Sequence, residues 1–160
     1  CWCMWWRISA SRWMRQRGRG NRKVLKALVD SVVVPGILAY SDGQAIGWCS
    51  VSPREDYHRL ERSRTLKRID DKPVWSIVCF FVAKPFRRQG VSTQLLKATM
   101  DFAKGKGAKI IEGYPSRSKE KRPDPLVYMG LVSQFQKFGF VDVKTKSKTA
   151  RVMRYIFERD

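Results

Sequence analysis

Two periods organise the apolar positions of this chain of 160 residues. Val24, Leu25, Leu28, Val29 and Val32 recur three and four apart, which predicts an amphipathic helix with Asn21 as its N-cap. The basic residues before it (Arg15, Arg17 and Arg19) alternate with glycines and predict a loop. "PGILAYSDGQAIGWCSV" places two apolar segments around Asp42-Gly43, a pair that accepts the positive φ angles of a type I′ turn, so a β-hairpin is expected. "SPREDYHRLERS" then leaves the sheet with a short helix expected, and "RTLKRIDDKP" is polar and loop-like.

Trp75 to Val82 is an apolar run with the character of a central strand. Leu95, Leu96, Thr99, Met100 and Ala103 return to helical spacing, and Gly105 and Gly107 close that helix. "AKIIEGYP" is a second short buried strand, so Trp75 to Tyr114 reads as a βαβ unit with a right-handed crossover. "SRSKEKRPDP" is a basic loop, and "LVYMGLVSQFQKF" is expected as one helix stopped by Gly139. "FVDVKTK" and "ARVMRYIFE" are two closing strands joined by a basic turn, and exposed apolar residues of "VMRYIF" could pair a homodimer across a two-fold axis. No repeat or second domain is visible, and residues 1–160 are expected to form one domain.

Composition is globular, with 43% hydrophobic and 12% aromatic residues. Charge changes the picture: 33 Lys+Arg against 14 Asp+Glu give +19, a field that gathers anions such as nucleic acid, an acidic membrane or a phosphorylated small molecule. The longest apolar stretches reach about half of the roughly 20 residues that a spanning helix needs, so no membrane partner is expected. The start, "CWCMWWRISASRWMRQRGRG", lacks the h-region and cleavage site of a secretory signal. It begins at Cys1 and not at methionine, and the natural start is expected upstream. Cys49 and Cys79 sit in strand-like runs as small hydrophobes. Cys1 and Cys3 with the single His58 fall short of a four-ligand zinc set, so no metal is expected. A reduced, cytoplasmic protein is the expectation.

The chemistry concentrates in "FVAKPFRRQGVSTQLL", where a buried strand passes to a helix through two arginines and a glycine. A helix N-terminus carries unpaired N–H groups and partial positive charge, Gly90 permits close backbone approach, and Ser92 can cap. A basic turn with a solvated face is the other reading.

The wider arrangement resembles the GNAT superfamily of acetyl-CoA-dependent N-acyltransferases over roughly residues 20–157. Arg87-Arg88-Gln89-Gly90-Val91-Ser92 is similar to the family's [QR]-x-x-G-x-[GA] signature, "FQKFGF" to its Y-x-K-x-G-F segment, and "AIGWCSV" to its hairpin before the cofactor strand. "CWCMWWR", "EGYP" and "VMRY" resemble an uncharacterised bacterial branch of the superfamily. The resemblance implies a mixed, mostly antiparallel central sheet flanked by helices and splayed between the strands around 75–82 and 108–114. It implies that acetyl-CoA is held by Arg87, Arg88, Gln89, Gly90, Val91, Ser92 and Thr93 at its pyrophosphate, and by Cys79, Phe80, Phe81 and Val82 along its pantetheine arm. A backbone N–H near Phe81 or Val82 would polarise the thioester, and an amine would attack directly, with no covalent enzyme intermediate.

The sequence departs from that pattern twice. The usual tyrosine acid is replaced by Phe135, which has no proton to give, and Tyr128 and Tyr114 are the nearest phenols; either could equally be a half-buried aromatic with a satisfied hydroxyl. The base is unassigned: Glu112 is one candidate and equally a structural partner for a basic residue, while Glu55 and Asp56 suit a substrate contact or a helix cap. Trp75 and Tyr114 are further candidates for contact with the acceptor. The six tryptophans are read as core, with a stacking wall as the alternative. The expected acceptor is a small-molecule amine, acidic or phosphorylated to suit the basic surface, in a pocket between the hairpin loop, Glu112 and the 115–127 loop. A protein or peptide acceptor is the second reading. A basic nucleic-acid-binding module on the same scaffold is the third, with "KTKSKTARVMR" and "SRSKEKRP" as its surface.

Overall fold

A computed structural model describes residues 2–115, 128–143 and 150–157. Two helices come first, α1 (Ala10–Arg15) and α2 (Arg19–Asp30). Ser9 caps α1 by accepting from the Arg12 N–H. The basic segment expected as a loop is therefore partly helical: Arg15 ends α1, Arg19 opens α2, and Gly18 at φ +62° turns the chain between them. Asn21 is not the cap of α2. It lies in the first turn, buried, and its Nδ2 donates to the Trp13 carbonyl at 3.4 Å.

The hairpin follows as β1 (Gly36–Ser41) and β2 (Gln44–Pro53), joined by Asp42 and Gly43 at φ 48° and 77°, the signs a type I′ turn requires. A 3₁₀ turn (Arg54–Asp56) and the single-turn α3 (His58–Glu61) lead away from the sheet. β3 (Trp75–Val82), α4 (Val91–Gly105) and β4 (Ile110–Gly113) form the expected βαβ unit. α5 (Val132–Lys137), β5 (Val141–Val143) and β6 (Val152–Ile156) complete the described chain. Gly130 at φ +93° stops α5 from extending back to Tyr128, so the single helix expected from Leu126 is shorter. The basic loop at 116–127 and the basic turn at 144–149 lie outside the described residues.

The six strands run in the order β1-β2-β3-β4-β6-β5, and every neighbouring pair is antiparallel except β3 and β4. Alternation along β3 sends Ile77 into a cluster under α4, where Leu95, Leu96, Met100 and Ala103 cover Cys49, Val51 and Phe80. Val78 goes to a second cluster with Tyr57, Leu60, Tyr114 and Val152. Burying each of those leucines stabilises the fold by about 1.5–3 kcal/mol. Among the described residues no helix is long and apolar enough to cross a membrane.

Candidate active site

The parallel ladder between β3 and β4 covers only Trp75–Ile77 against Ile111–Gly113. Beyond it β3 runs on through Val82 with no β4 beside it, so the two strands part there. A bulge sits where the strands separate: Ser50 pairs with Cys79 but Val51 pairs with Ile77, leaving Val78 as the extra residue. Backbone direction past the bulge is set by two bonds. Ala83 N–H donates to Ile46 on the β2 side at 2.8 Å, while Phe80 N–H donates the other way, to the Tyr128 carbonyl. By strand alternation the Val82 N–H also faces the gap, and the Phe81 N–H faces β2. Of the two backbone donors expected from sequence, Val82 thus has the required direction and Phe81 has not.

Phe135 closes the floor of the gap. It is fully buried, edge-on to Phe80 at 6.2 Å and to Phe140 at 5.0 Å between ring centroids. Gly113 and Gly130 make room for it, since a Cβ at either would overlap its ring.

β3 passes to α4 through a 3₁₀ turn (Lys84–Phe86) and the Arg87–Gly90 loop. Arg87 Nε donates to the Val82 carbonyl at 2.9 Å, and Gln89 Nε2 donates to Pro85 at the same distance. Arg88 and Gly90 take φ +62° and +80°, which curls successive N–H groups toward one side. Ser92, expected as a cap, is the second helical residue; Gly90 occupies the N-cap and no side chain caps α4. The Thr93 and Gln94 N–H groups both donate to the Gly90 carbonyl, at 2.9 and 3.1 Å, which leaves the Val91 and Ser92 N–H groups without an intrahelical acceptor at the positive end of the helix dipole. A Cβ built on Gly90 meets nothing within 4 Å, so the space above them is open. Gln134 of α5 ties the turn down by donating to the Ser92 carbonyl at 2.7 Å.

A cavity of about 1000 Å³ adjoins the gap. Trp2, Trp5, Trp6, Trp13 and Trp48 wall it, and Cys79, Phe80, Phe81 and Tyr128 bring the open end of β3 to its edge. Five of the six tryptophans, read from sequence as core, thus form the wall that was the alternative; Trp75 alone packs elsewhere, edge-on to Phe102 at 5.9 Å. Cys3 and Cys79 line the cavity with sulfurs 3.5 Å apart. Their contact lowers the Cys3 pKa and, with burial, raises that of Cys79. The Tyr128 hydroxyl is raised by burial and stays protonated through neutral pH.

The carboxylate candidates lie away from this cavity. Glu112 is 1% exposed, and Arg154 donates to its Oε1 from Nε at 3.0 Å and from Nη2 at 2.7 Å. Its Oε2 accepts from the Tyr114 hydroxyl at 3.1 Å and faces Arg54 at 3.7 Å. In place of a carboxylate open to an ammonium proton, the structure has one pinned between two guanidinium groups. Tyr114 belongs to the same cluster through Ser76 at 2.7 Å, and burial raises its pKa strongly. Glu55 pairs with Arg68 at 2.6 Å and Asp56 faces Arg7 at 4.0 Å, both next to the closed end of β3. Neither these two, Trp75 nor Tyr114 lines the aromatic cavity. Sequence reasoning missed Arg54, which is 1% exposed and also bonded to Glu61 and to the Leu60 and Leu66 carbonyls; among 33 basic residues nothing in the pattern singles it out.

Comparison with known proteins adds to this geometry. The family model described as "Acetyltransferase (GNAT) family" matches residues 2–116. Among solved structures, PaiA N-acetyltransferase from Thermoplasma acidophilum in complex with coenzyme A is 16% identical, with a TM-score of 0.56 over 94% of this chain and 80% of that one. Ribosomal-protein-alanine N-acetyltransferase from Brucella melitensis is 14% identical, with a TM-score of 0.55 over 87% and 78%. Ard1 from Thermoplasma volcanium is 17% identical, also at 0.55, over 87% and 80%. No curated protein matches the chain by sequence. The structural likenesses establish the fold, and the family match covers most of the chain; this protein belongs to the GNAT family of acetyltransferases, whose acetyl donor is acetyl-CoA.

Proposed function

We propose that the protein transfers the acetyl group of acetyl-CoA to the primary amine of a small molecule by direct attack. The observation that carries this reading is the junction of a half-open aromatic cavity with the open end of β3, next to a helix N-terminus that no side chain caps. These residues fit the cofactor: the open space over Gly90 suits a pyrophosphate on the N–H groups of Gly90, Val91 and Ser92, with Arg87 and Arg88 adding charge. The Val82 N–H, facing the gap, suits an amide of the pantetheine arm. When bound, acetyl-CoA supplies an activated acetyl thioester.

The remaining roles fall to the cavity edge. The Phe80 N–H is the deeper gap-facing donor; it can polarise a carbonyl there once the Tyr128 carbonyl gives it up. Tyr128, protonated at neutral pH and lining the cavity, can return a proton to a leaving thiolate, the role Phe135 cannot fill. No acidic residue is among the described cavity-lining residues, so proton loss from the acceptor depends on the surrounding field. A chain of +19 lowers the pKa of a bound ammonium and raises its free-amine fraction. A cavity of about 1000 Å³ is at the upper end of the range of small-molecule sites, which favours a small-molecule acceptor. The test is mass-spectrometric detection of acetylated product after incubation with acetyl-CoA and a mixed panel of small amines and peptides. Acetylation of small amines supports the reading; modification of peptide N-termini alone overturns it.

A further inference from the structure

Two thiols in the cavity wall are left over from acetyl transfer. Cys3 and Cys79 stand 76 positions apart in sequence, yet their Sγ atoms are 3.5 Å apart, and both residues line the cavity. The segment carrying Cys3 is anchored. Met4 is 2% exposed, and its carbonyl accepts from the Arg7 and Ile8 N–H groups at 3.1 and 3.2 Å. Arg7 Nη2 donates to Ser52 Oγ at 2.6 Å and to the Pro35 carbonyl at 3.2 Å, which fastens the segment to the sheet side of the molecule. Trp2 and Cys3 take φ +50° and +47°, a region that residues with a Cβ enter at a cost. The fold thus holds Cys3 against Cys79 in spite of a local preference.

The two thiols differ as a reactive pair should. Contact with Cys79 lowers the Cys3 pKa against the opposing effect of burial, helped by the Trp48 indole N–H and the Arg7 charge, so Cys3 ionises first. The Trp48 Nε1–H is otherwise buried with no hydrogen-bond partner. The same contact, together with burial, raises the Cys79 pKa, so Cys79 keeps its proton while Cys3 is charged. Cys49 is fully buried and does not line the cavity, and burial pushes its thiol up to about 12.

We propose that Cys3 and Cys79 form a reversible disulfide in the cavity wall, with hydrogen peroxide or another small hydroperoxide as the oxidant. The Cys3 thiolate attacks one peroxide oxygen: an S–O bond forms, the O–O bond breaks and hydroxide leaves. The Cys79 thiol then attacks the Cys3 sulfenic acid: the S–S bond forms, and the oxygen departs as water with the Cys79 proton. The two sulfurs together give up two electrons, which the peroxide takes. Once Cys3 has lost its charge, the contact that held the Cys79 proton is gone, which favours the second step. The crosslink fastens the segment bearing Trp2, Trp5 and Trp6 to the open end of β3, so the cavity wall responds to the redox state around it.

The test exposes the reduced, folded protein to a few equivalents of hydrogen peroxide, in a Cys1→Ser background because Cys1 shares a tryptic peptide with Cys3. Mapping without reductant should find the Cys3 and Cys79 peptides linked, at a mass two hydrogens below their sum, and dithiothreitol should separate them under native conditions. Cys3→Ser and Cys79→Ser should each abolish the link. Cys3→Ser lies outside the helices and strands and keeps the test readable if the β3 variant folds poorly. Closing so long a loop restricts the unfolded chain, so the crosslinked protein should melt several degrees higher than the reduced one. An unchanged mass, or added oxygen on either sulfur without a link, overturns the proposal, as does a link from either to Cys49. A crosslinked protein that melts no higher than the reduced one also overturns it, because the sulfurs would then be bridged only by displacing the backbone.

Discussion

The two ends of the β3–β4 pair are built from opposite materials. At the closed end the strands are zipped, and beside them Arg54, Glu112, Arg154, Tyr114 and Ser76 satisfy one another almost completely out of water. At the open end β3 continues without its neighbour, its gap-facing N–H groups meet a carbonyl or nothing, and the side chains alongside are rings and thiols. Charge is buried where the strands are paired, and backbone is left open where they part. A charged residue in an apolar strand here marks a satisfied structural cluster, and the interrupted ladder marks where backbone is open.

The closed end gives the largest expected effect. Arg54→Met leaves Glu112 and Glu61 short of a buried cation and is expected to lower unfolding free energy by about 3–5 kcal/mol in urea titration. Glu112→Gln is expected to destabilise in the same direction, with acetyl-CoA affinity of the folded fraction unchanged. A Glu112→Gln protein of full stability and lost turnover would reverse the assignment of the two ends. The junction comes next: Gly113→Ala drives a methyl into the Phe135 ring and is expected to cost about 1–3 kcal/mol, read by thermal melting.

At the open end, Tyr128→Phe is expected to reduce kcat about tenfold with little change in KM for acetyl-CoA, a modest loss because a thiolate leaves readily. An unchanged kcat would leave water as the proton source. The smallest effect is on acid stability. Hydrogen bonds from Arg154 depress the Asp70 pKa. That contact therefore stabilises the fold above the ordinary aspartate range and is lost as pH falls through the depressed value. Melting temperature followed down from about pH 4 should decline less steeply in Asp70→Asn than in the wild type. Equal slopes would show that the contact is already lost in solution.

The same contrast explains what could be read from sequence. Trp75–Val82, the Asp42-Gly43 hairpin and the α4 stripe are local patterns, and each appears where its periodicity placed it. The signature turn was legible because a glycine shortly after two arginines and before an amphipathic helix is also a local pattern. The partners of Glu112 were not legible because they come from 58 residues before it and 42 after it, distances over which no spacing rule operates. The tryptophan wall was half legible: Trp2 to Trp13 stand together in sequence, but that they face Cys79 and Tyr128 across a cavity is a tertiary fact. The breadth of α5 was misjudged because Gly130 takes a positive φ that a continuous helix excludes.

Acetyl-CoA binding by calorimetry to the wild type, Gly90→Asn and Gly90→Asp tests the central claim most directly. Asparagine and aspartate are nearly isosteric and both tolerate the left-handed backbone at this position, so their difference isolates charge at the α4 N-terminus. The account predicts saturable binding by the wild type, retained though weaker binding by Gly90→Asn, and a further loss of about 100-fold or more in Gly90→Asp, the scale of a carboxylate held against a pyrophosphate. Gly90→Asp binding as well as Gly90→Asn, or a wild type that does not bind, would contradict it.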